Sequence, residues 1–131
     1  MPKIIGLFPT PVMKIERFLS ADLIDHFKEV AVANQRAENS ATELLSHTQM
    51  MDPSESVDYA KLSELAAPHL VSFGEVLFAE KLSWMIKEAW VNVLETGGSQ
   101  FMHTHANSFV SGIVYLTRPD ASSNTVFRKP S

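Results

Sequence analysis

The sequence contains no cysteine among its 131 residues, which excludes disulfide scaffolds, thiolate zinc sites and cysteine nucleophiles. It has no excess of positive charge either. The formal net charge of −4 argues against a protein that binds nucleic acid or an anionic membrane through bulk charge. No apolar run approaches the ~18 residues of a membrane span. The proline-broken start does not fit a signal peptide. We therefore expect a cytoplasmic protein that binds neither nucleic acid nor a membrane.

What the sequence does contain is typical of a folded domain. Apolar residues make up 45% of the chain and charged residues 20%, which are values for a globular protein. A chain of this length buries roughly two thirds of its unfolded surface, enough for a hydrophobic core. Length and the absence of a linker-like segment predict that residues 1–131 form a single domain.

Two segments have the apolar spacing of helices. Ser20 is a suitable N-cap, and the residues that follow it carry one apolar stripe, which predicts a helix over about 21–36. A second stripe covers about 58–80 and keeps its phase through Pro68, so we expect a kinked helix or a tightly joined pair there. The polar residues between them, 38–57, are interpreted as a long loop.

The remaining segments favour strands, because they are short, rich in β-branched and aromatic residues, and bounded by turn residues. Helices in about 20–80 followed by strands in about 83–131 indicate an α+β fold, in which the helices pack on one antiparallel sheet. The predicted strands cover residues 3–8, 12–18, 84–94, 99–105, 109–117 and 125–128.

His103-Thr104-His105 is the one motif with metal-site character. On a strand, residues two apart point to the same face, with Cα atoms roughly 6.5–7 Å apart. Two imidazoles projected in this way can converge on one metal ion, as in a mononuclear iron site that takes a third ligand elsewhere. The alternative is a pair of polar side chains on the solvent face of a strand.

The surroundings of this motif resemble a known family. Trp90-Val91-Asn92 precedes Gly97-Gly98 and His103-Thr104-His105, and Ser111-Gly112-Ile113-Val114-Tyr115-Leu116 follows. This W-x-N, H-x-H, S-G-x-x-Y-L pattern is similar to 2-oxoglutarate/Fe(II) oxygenases of phage and marine bacterial genomes. The opening Leu7-Phe8-Pro9-Thr10-Pro11 and the helix after Ser20 also resemble that family, but the likeness is sharp only over about 89–117.

The resemblance implies a double-stranded β-helix, which is a jelly-roll or cupin-like barrel, with helices outside it. It implies Fe(II) and 2-oxoglutarate as cofactors and an oxidised small-molecule or peptide substrate. His103 takes the place of the first metal histidine, and His105 stands where related enzymes have an aspartate. Tyr115 takes the place of a tyrosine that contacts the distal carboxylate of 2-oxoglutarate. Ser111 either lines the cosubstrate pocket or bonds a neighbouring strand.

The sequence departs from the family pattern after His105. It has no further histidine, and its two later arginines, Arg118 and Arg128, come too early for the family's basic residue. Six predicted strands also fall short of the about eight that a jelly roll needs. We therefore expect the N-terminal portion of an oxygenase-like domain, with an open sheet edge that permits homo-oligomers. Other residues could supply a further ligand, although surface, capping or solvated loop positions are the alternative for each. They are His26, His47, His69, Glu95 and Asp120.

Two other functions stay open at this point. One is a non-catalytic jelly-roll module that binds a ligand or a partner protein. The other is a cupin-like protein in which three histidines hold a metal without a cosubstrate. Nothing in the loops 38–57 or 118–124 identifies a substrate.

Overall fold

The computed structural model describes residues 1–4, 9–34, 37–38 and 44–128. Helices and a small antiparallel sheet occur together, so the mixed α+β class is confirmed at that level. The elements in chain order are α1 (Ala21–Ala33), β1 (Ala37–Glu38), β2 (Leu45–His47), α2 (Val57–Phe78), β3 (Asn92–Leu94) and a short 3₁₀ turn (Ala121–Ser123).

The chain divides into two compact units. One unit consists of Met1–Phe18 and Met50–Ala89 and contains α2. The other consists of Leu19–Gln49 and Trp90–Ser131 and contains α1 and the sheet. The assignment of the whole chain to a single domain stays a prediction.

Helix α1 begins where the sequence predicts. The Oγ of Ser20 accepts a hydrogen bond from the backbone N–H of Leu23 at 3.3 Å, and this satisfies one of the N–H groups left open at a helix start. The helix buries Phe27, Val30 and Ala31. It ends at Ala33, three residues earlier than predicted, where the Asn34 backbone turns extended; residues 35 and 36 lie outside the described part.

Helix α2 runs continuously through Pro68, so the apolar stripe that keeps its phase there belongs to one helix. Proline has no N–H to donate to the preceding turn, which normally weakens a helix interior. One turn after the proline, Ser72 Oγ donates to the Pro68 carbonyl oxygen at 3.1 Å, a bond that does not replace the missing N–H. The helix ends at Phe78. The next residue, Ala79, caps it: its backbone is left-handed (φ 56°) and its N–H donates to the Glu75 carbonyl.

The sheet has three antiparallel strands in the described part of the chain, in the order β1-β2-β3. Leu45 lies opposite Leu94 and His47 opposite Asn92. The pairing extends to Thr48, whose N–H donates to the Val91 carbonyl at 2.9 Å, while the Val91 N–H donates to Thr48 Oγ1 at 3.0 Å. Leu45, Thr48 and Val91 are buried, so this ladder contributes to the core of its unit.

Most strand predictions differ from the structure. Of 84–94, only Asn92–Leu94 is a strand, although Ala89 forms an isolated bridge with Met51. No strand forms over 12–18, 99–105, 109–117 or 125–128, and residues 5–8 of the predicted 3–8 strand lie outside the described part. A strand needs a neighbouring strand for its N–H and C=O groups, and composition alone does not supply one.

The long loop predicted over 38–57 is also wrong in part, because it contains β2 and the end of β1. Leu45-Ser46-His47 is too short to show an apolar alternation, yet Leu45 is only 4% exposed. The jelly-roll architecture itself stays a prediction. Neither α-helix in the described ranges combines the length and apolar character needed to cross a bilayer.

Candidate functional site

The imidazole rings of His103 and His105 lie next to each other. Their centroids are 4.9 Å apart and the rings meet edge to face at 75°. Both side chains are exposed, so solvent ions have access to them. The predicted pairing of the two rings therefore occurs, although residues 99–105 do not form the strand from which it was inferred.

A hydrogen bond to the backbone orients the His103 ring. Its Nδ1 lies 2.8 Å from the carbonyl oxygen of Phe101. A carbonyl oxygen only accepts, so Nδ1 carries the proton and Nε2 of the neutral ring keeps its lone pair. A metal-binding histidine commonly has this arrangement, in which the far nitrogen donates to a backbone carbonyl. This hydrogen bond therefore favours the Nδ1–H tautomer of the neutral His103 ring and leaves the Nε2 lone pair free.

The His105 ring faces the indole of Trp90. Their centroids are 6.2 Å apart and the planes are inclined by 46°. The indole Nε1–H donates to Asn92 Oδ1 at 3.1 Å. Through the indole, Asn92 is therefore one contact away from His105.

Tyr115 and Ser111 have other surroundings in the part of the chain that the structure describes. The Tyr115 hydroxyl forms a hydrogen bond with Thr125 Oγ1. Ser111 is exposed, on a segment without strand structure. Within the described ranges no hydrogen bond or ring contact joins either residue to His103 or His105. Thr125 was not identifiable as a partner from sequence alone, because it lies ten positions after Tyr115, beyond the 3₁₀ turn.

A third metal ligand is not assembled: no group of three histidine, aspartate or glutamate side chains suited to a metal occurs in the part of the chain that the structure describes. The other candidates have local roles. The His26 ring contacts Phe27, His47 Nδ1 donates to the Thr48 carbonyl, and His69 meets Phe18 edge to face. Of the predicted ligands, the structure therefore brings together the imidazoles of His103 and His105.

Asp120 caps the 3₁₀ turn. Its carboxylate accepts the backbone N–H of Ser122 at 2.9 Å and the Ser122 hydroxyl at 2.9 Å, and these two bonds lower the pKa of Asp120. Asp52 makes the same motif with Ser54, which lowers the pKa of Asp52 for the same reason. Glu95 lies in a turn, where its N–H donates to the Leu44 carbonyl at 2.9 Å. These contacts assign Asp120 a capping role.

Comparison with known proteins gives one match. Residues 88–131, about a third of the chain, match the model of a family described as Putative 2OG-Fe(II) oxygenase. The matched segment includes Trp90, Asn92, His103, His105, Ser111 and Tyr115. Searches of curated proteins and of solved structures find no significant match.

Proposed function

We propose that this chain is part of an Fe(II)/2-oxoglutarate-dependent oxygenase and that His103 and His105 bind its iron. The observation that carries the proposal is the adjacency of the two imidazole rings, 4.9 Å between centroids, inside the segment that matches the oxygenase family. The Phe101 carbonyl supports it, because a neutral His103 ring that donates its Nδ1–H to this oxygen has the Nε2 lone pair available for a metal.

When bound, ferrous iron supplies the activation of O₂ that couples decarboxylation of 2-oxoglutarate to oxidation of a substrate C–H bond. His103 contributes Nε2, and His105 contributes a nitrogen from the same side of the chain. Because both ligands are neutral, they leave the metal's positive charge uncompensated, which favours an anionic ligand such as 2-oxoglutarate. The exposure of both rings leaves space for such a ligand.

Tyr115 and Ser111 are proposed to contact 2-oxoglutarate. The Tyr115 hydroxyl is suited to donate to a carboxylate, a charge-assisted bond stronger than a neutral one. In the structure this hydroxyl is paired with Thr125 Oγ1 and is half exposed, so cosubstrate binding replaces Thr125 as its hydrogen-bond partner. Ser111 adds a second hydroxyl four residues earlier.

Anaerobic calorimetric titration with Fe(II), repeated with Co(II), tests the metal site. We expect His103→Ala and His105→Ala each to lower the affinity about tenfold or more, because each removes one of two nitrogen donors. His26→Ala is the matched control, since His26 lies on α1 beside Phe27, and it keeps the affinity of the parent chain. Equal affinities for the parent and both site variants would contradict the proposal.

A further inference from the structure

We propose that Trp90 and Asn92 form a positioning pair that fixes the orientation of the His105 ring; its relevance to metal binding rests on the proposed function. The pair is defined by two contacts. The indole faces the His105 imidazole with 6.2 Å between centroids, and its Nε1–H is held by Asn92 Oδ1 at 3.1 Å.

The two histidine rings are oriented by different contacts, and this difference supports a role for Trp90 and Asn92 at His105. His103 is oriented by its hydrogen bond to the Phe101 carbonyl. His105 makes no hydrogen bond to any residue that the structure describes, and its ring contacts are those with Trp90 and His103. An exposed imidazole without a hydrogen bond samples several rotamers unless a neighbouring surface restricts it. The indole is that surface.

Asn92 connects this arrangement to the rigid part of its unit. It is the first residue of β3 and lies opposite His47 of β2 in the ladder. The next residue back, Val91, is buried and hydrogen-bonded on both sides to Thr48. The acceptor that holds the indole therefore sits on paired backbone, whereas His105 sits on a segment without strand structure. Because Asn92 holds the indole and the indole contacts the His105 ring, the paired backbone of β3 restricts the position of His105 through Trp90.

The first measurement needs no metal. In proton NMR, the indole ring current displaces the His105 Cε1–H resonance from its random-coil position. Trp90→Leu removes the ring, so we expect that displacement to disappear. Trp90→Phe keeps an aromatic face without the N–H donor and retains part of it. Asn92→Ala frees the indole and reduces the displacement. Unchanged His105 resonances in Trp90→Leu would overturn the proposal.

The second measurement is the Co(II) affinity of the same variants. We expect Trp90→Leu to weaken binding about three- to tenfold, the effect of losing one aromatic contact, and Trp90→Phe to lie between Trp90→Leu and the parent chain. Trp84→Phe, which removes the other tryptophan, leaves the affinity unchanged. A merely structural role would lower the denaturation midpoint of Trp90→Leu without this order of affinities.

The two proposals fail in different ways. If His103→Ala and His105→Ala bind Co(II) as the parent does, the proposed metal site is wrong, and the ring-current displacement still decides whether Trp90 orients His105. If the histidine variants lose binding while Trp90→Leu keeps it, the metal site stands and the positioning pair is overturned.

Discussion

The indole of Trp84 lies directly on Gly74 of α2. A methyl group at this Cα would come within 2.6 Å of the ring atoms Cε2 and Cζ2, closer than real side chains approach. The Phe78 ring, at the C-terminal end of the same helix, lies 5.9 Å from the indole between centroids. Glycine is therefore present in mid-helix, where its propensity is poor, because only its lack of a side chain admits the tryptophan.

Gly74→Ala should destabilise the protein by up to about 2 kcal/mol. Alanine gains up to about 1 kcal/mol in helix propensity, but overpacking against a ring costs about 1–3 kcal/mol. Urea denaturation followed by circular dichroism measures the difference. In a Trp84→Phe background, where the clashing atoms are absent, the same substitution should be neutral or stabilising. If Gly74→Ala is stabilising in the parent chain, the packing described here is wrong.

Thr48→Val should cost about 1–3 kcal/mol of unfolding free energy although valine has nearly the same shape. Thr48 is 2% exposed and its Oγ1 accepts the N–H of Val91, which is itself buried. Valine leaves that N–H buried without this acceptor. Thr48→Ser is the control, because it keeps the hydroxyl and loses only a methyl group, worth about 0.8 kcal/mol. Chemical denaturation compares the two variants, and the interpretation fails if serine is the more damaging change.

The carboxyl groups of Asp52 and Asp120 should titrate below the ordinary aspartate pKa of about 3.9. Their contribution to stability is therefore present above the unfolded pKa and is lost as pH falls through the lower folded pKa. Ser122→Ala should raise the pKa of Asp120 only part of the way, since the Ser122 backbone N–H remains the main donor. Asp52 is the internal control in a carboxyl NMR titration and should not move. No change at Asp120 would contradict the capping geometry.

Tyr115→Phe should weaken 2-oxoglutarate binding to the Co(II)-loaded chain by about ten- to hundredfold, because a hydrogen bond to a carboxylate is worth about 1.5–3 kcal/mol. Calorimetric titration with 2-oxoglutarate provides the measurement. Thr125→Val removes the internal partner of the Tyr115 hydroxyl and should leave binding equal or tighter. Equal binding by Tyr115→Phe and the parent chain would remove Tyr115 from the proposed cosubstrate site.

The helices were predictable because their signals are local. The cap at Ser20 and the apolar stripe behind it lie within one short segment, and both ends of α2 fall within two residues of the prediction. The helix was also predictable across Pro68, because the apolar stripe continues in phase on both sides of the proline. A helix satisfies its backbone groups within its own segment, so its sequence contains most of the information that specifies it.

Strands were not predictable in the same way. Residues 109–117 have stronger strand composition than Leu45-Ser46-His47, yet only the latter form a strand. The difference is the partner: β2 lies between β1 and β3, and β3 is far from it in sequence. The pattern of apolar residues indicates which segments favour an extended backbone. It does not indicate which two segments pair in a sheet.

The sequence was sufficient to select the candidate residues of the site, but not to predict the contacts that these residues make. The two histidines were identified from their spacing, and their rings do lie together. What holds them was not visible in the sequence, because the Phe101 carbonyl is a backbone group and Trp90 is fifteen residues from His105 along the chain. Ser111 and Tyr115 followed from resemblance alone, and their role as cosubstrate contacts stays a prediction.

The mutual hydrogen bonds of Thr48 and Val91 join residues 43 positions apart, with α2 in the intervening chain. Closing a loop of that length costs entropy before any contact compensates for it, whereas a helix forms on the microsecond scale from neighbours alone. Refolding should therefore show helical signal early and protection of the Val91 amide against hydrogen exchange late. We therefore expect the pairing of β3 with β2, and not the formation of α2, to limit the rate of refolding.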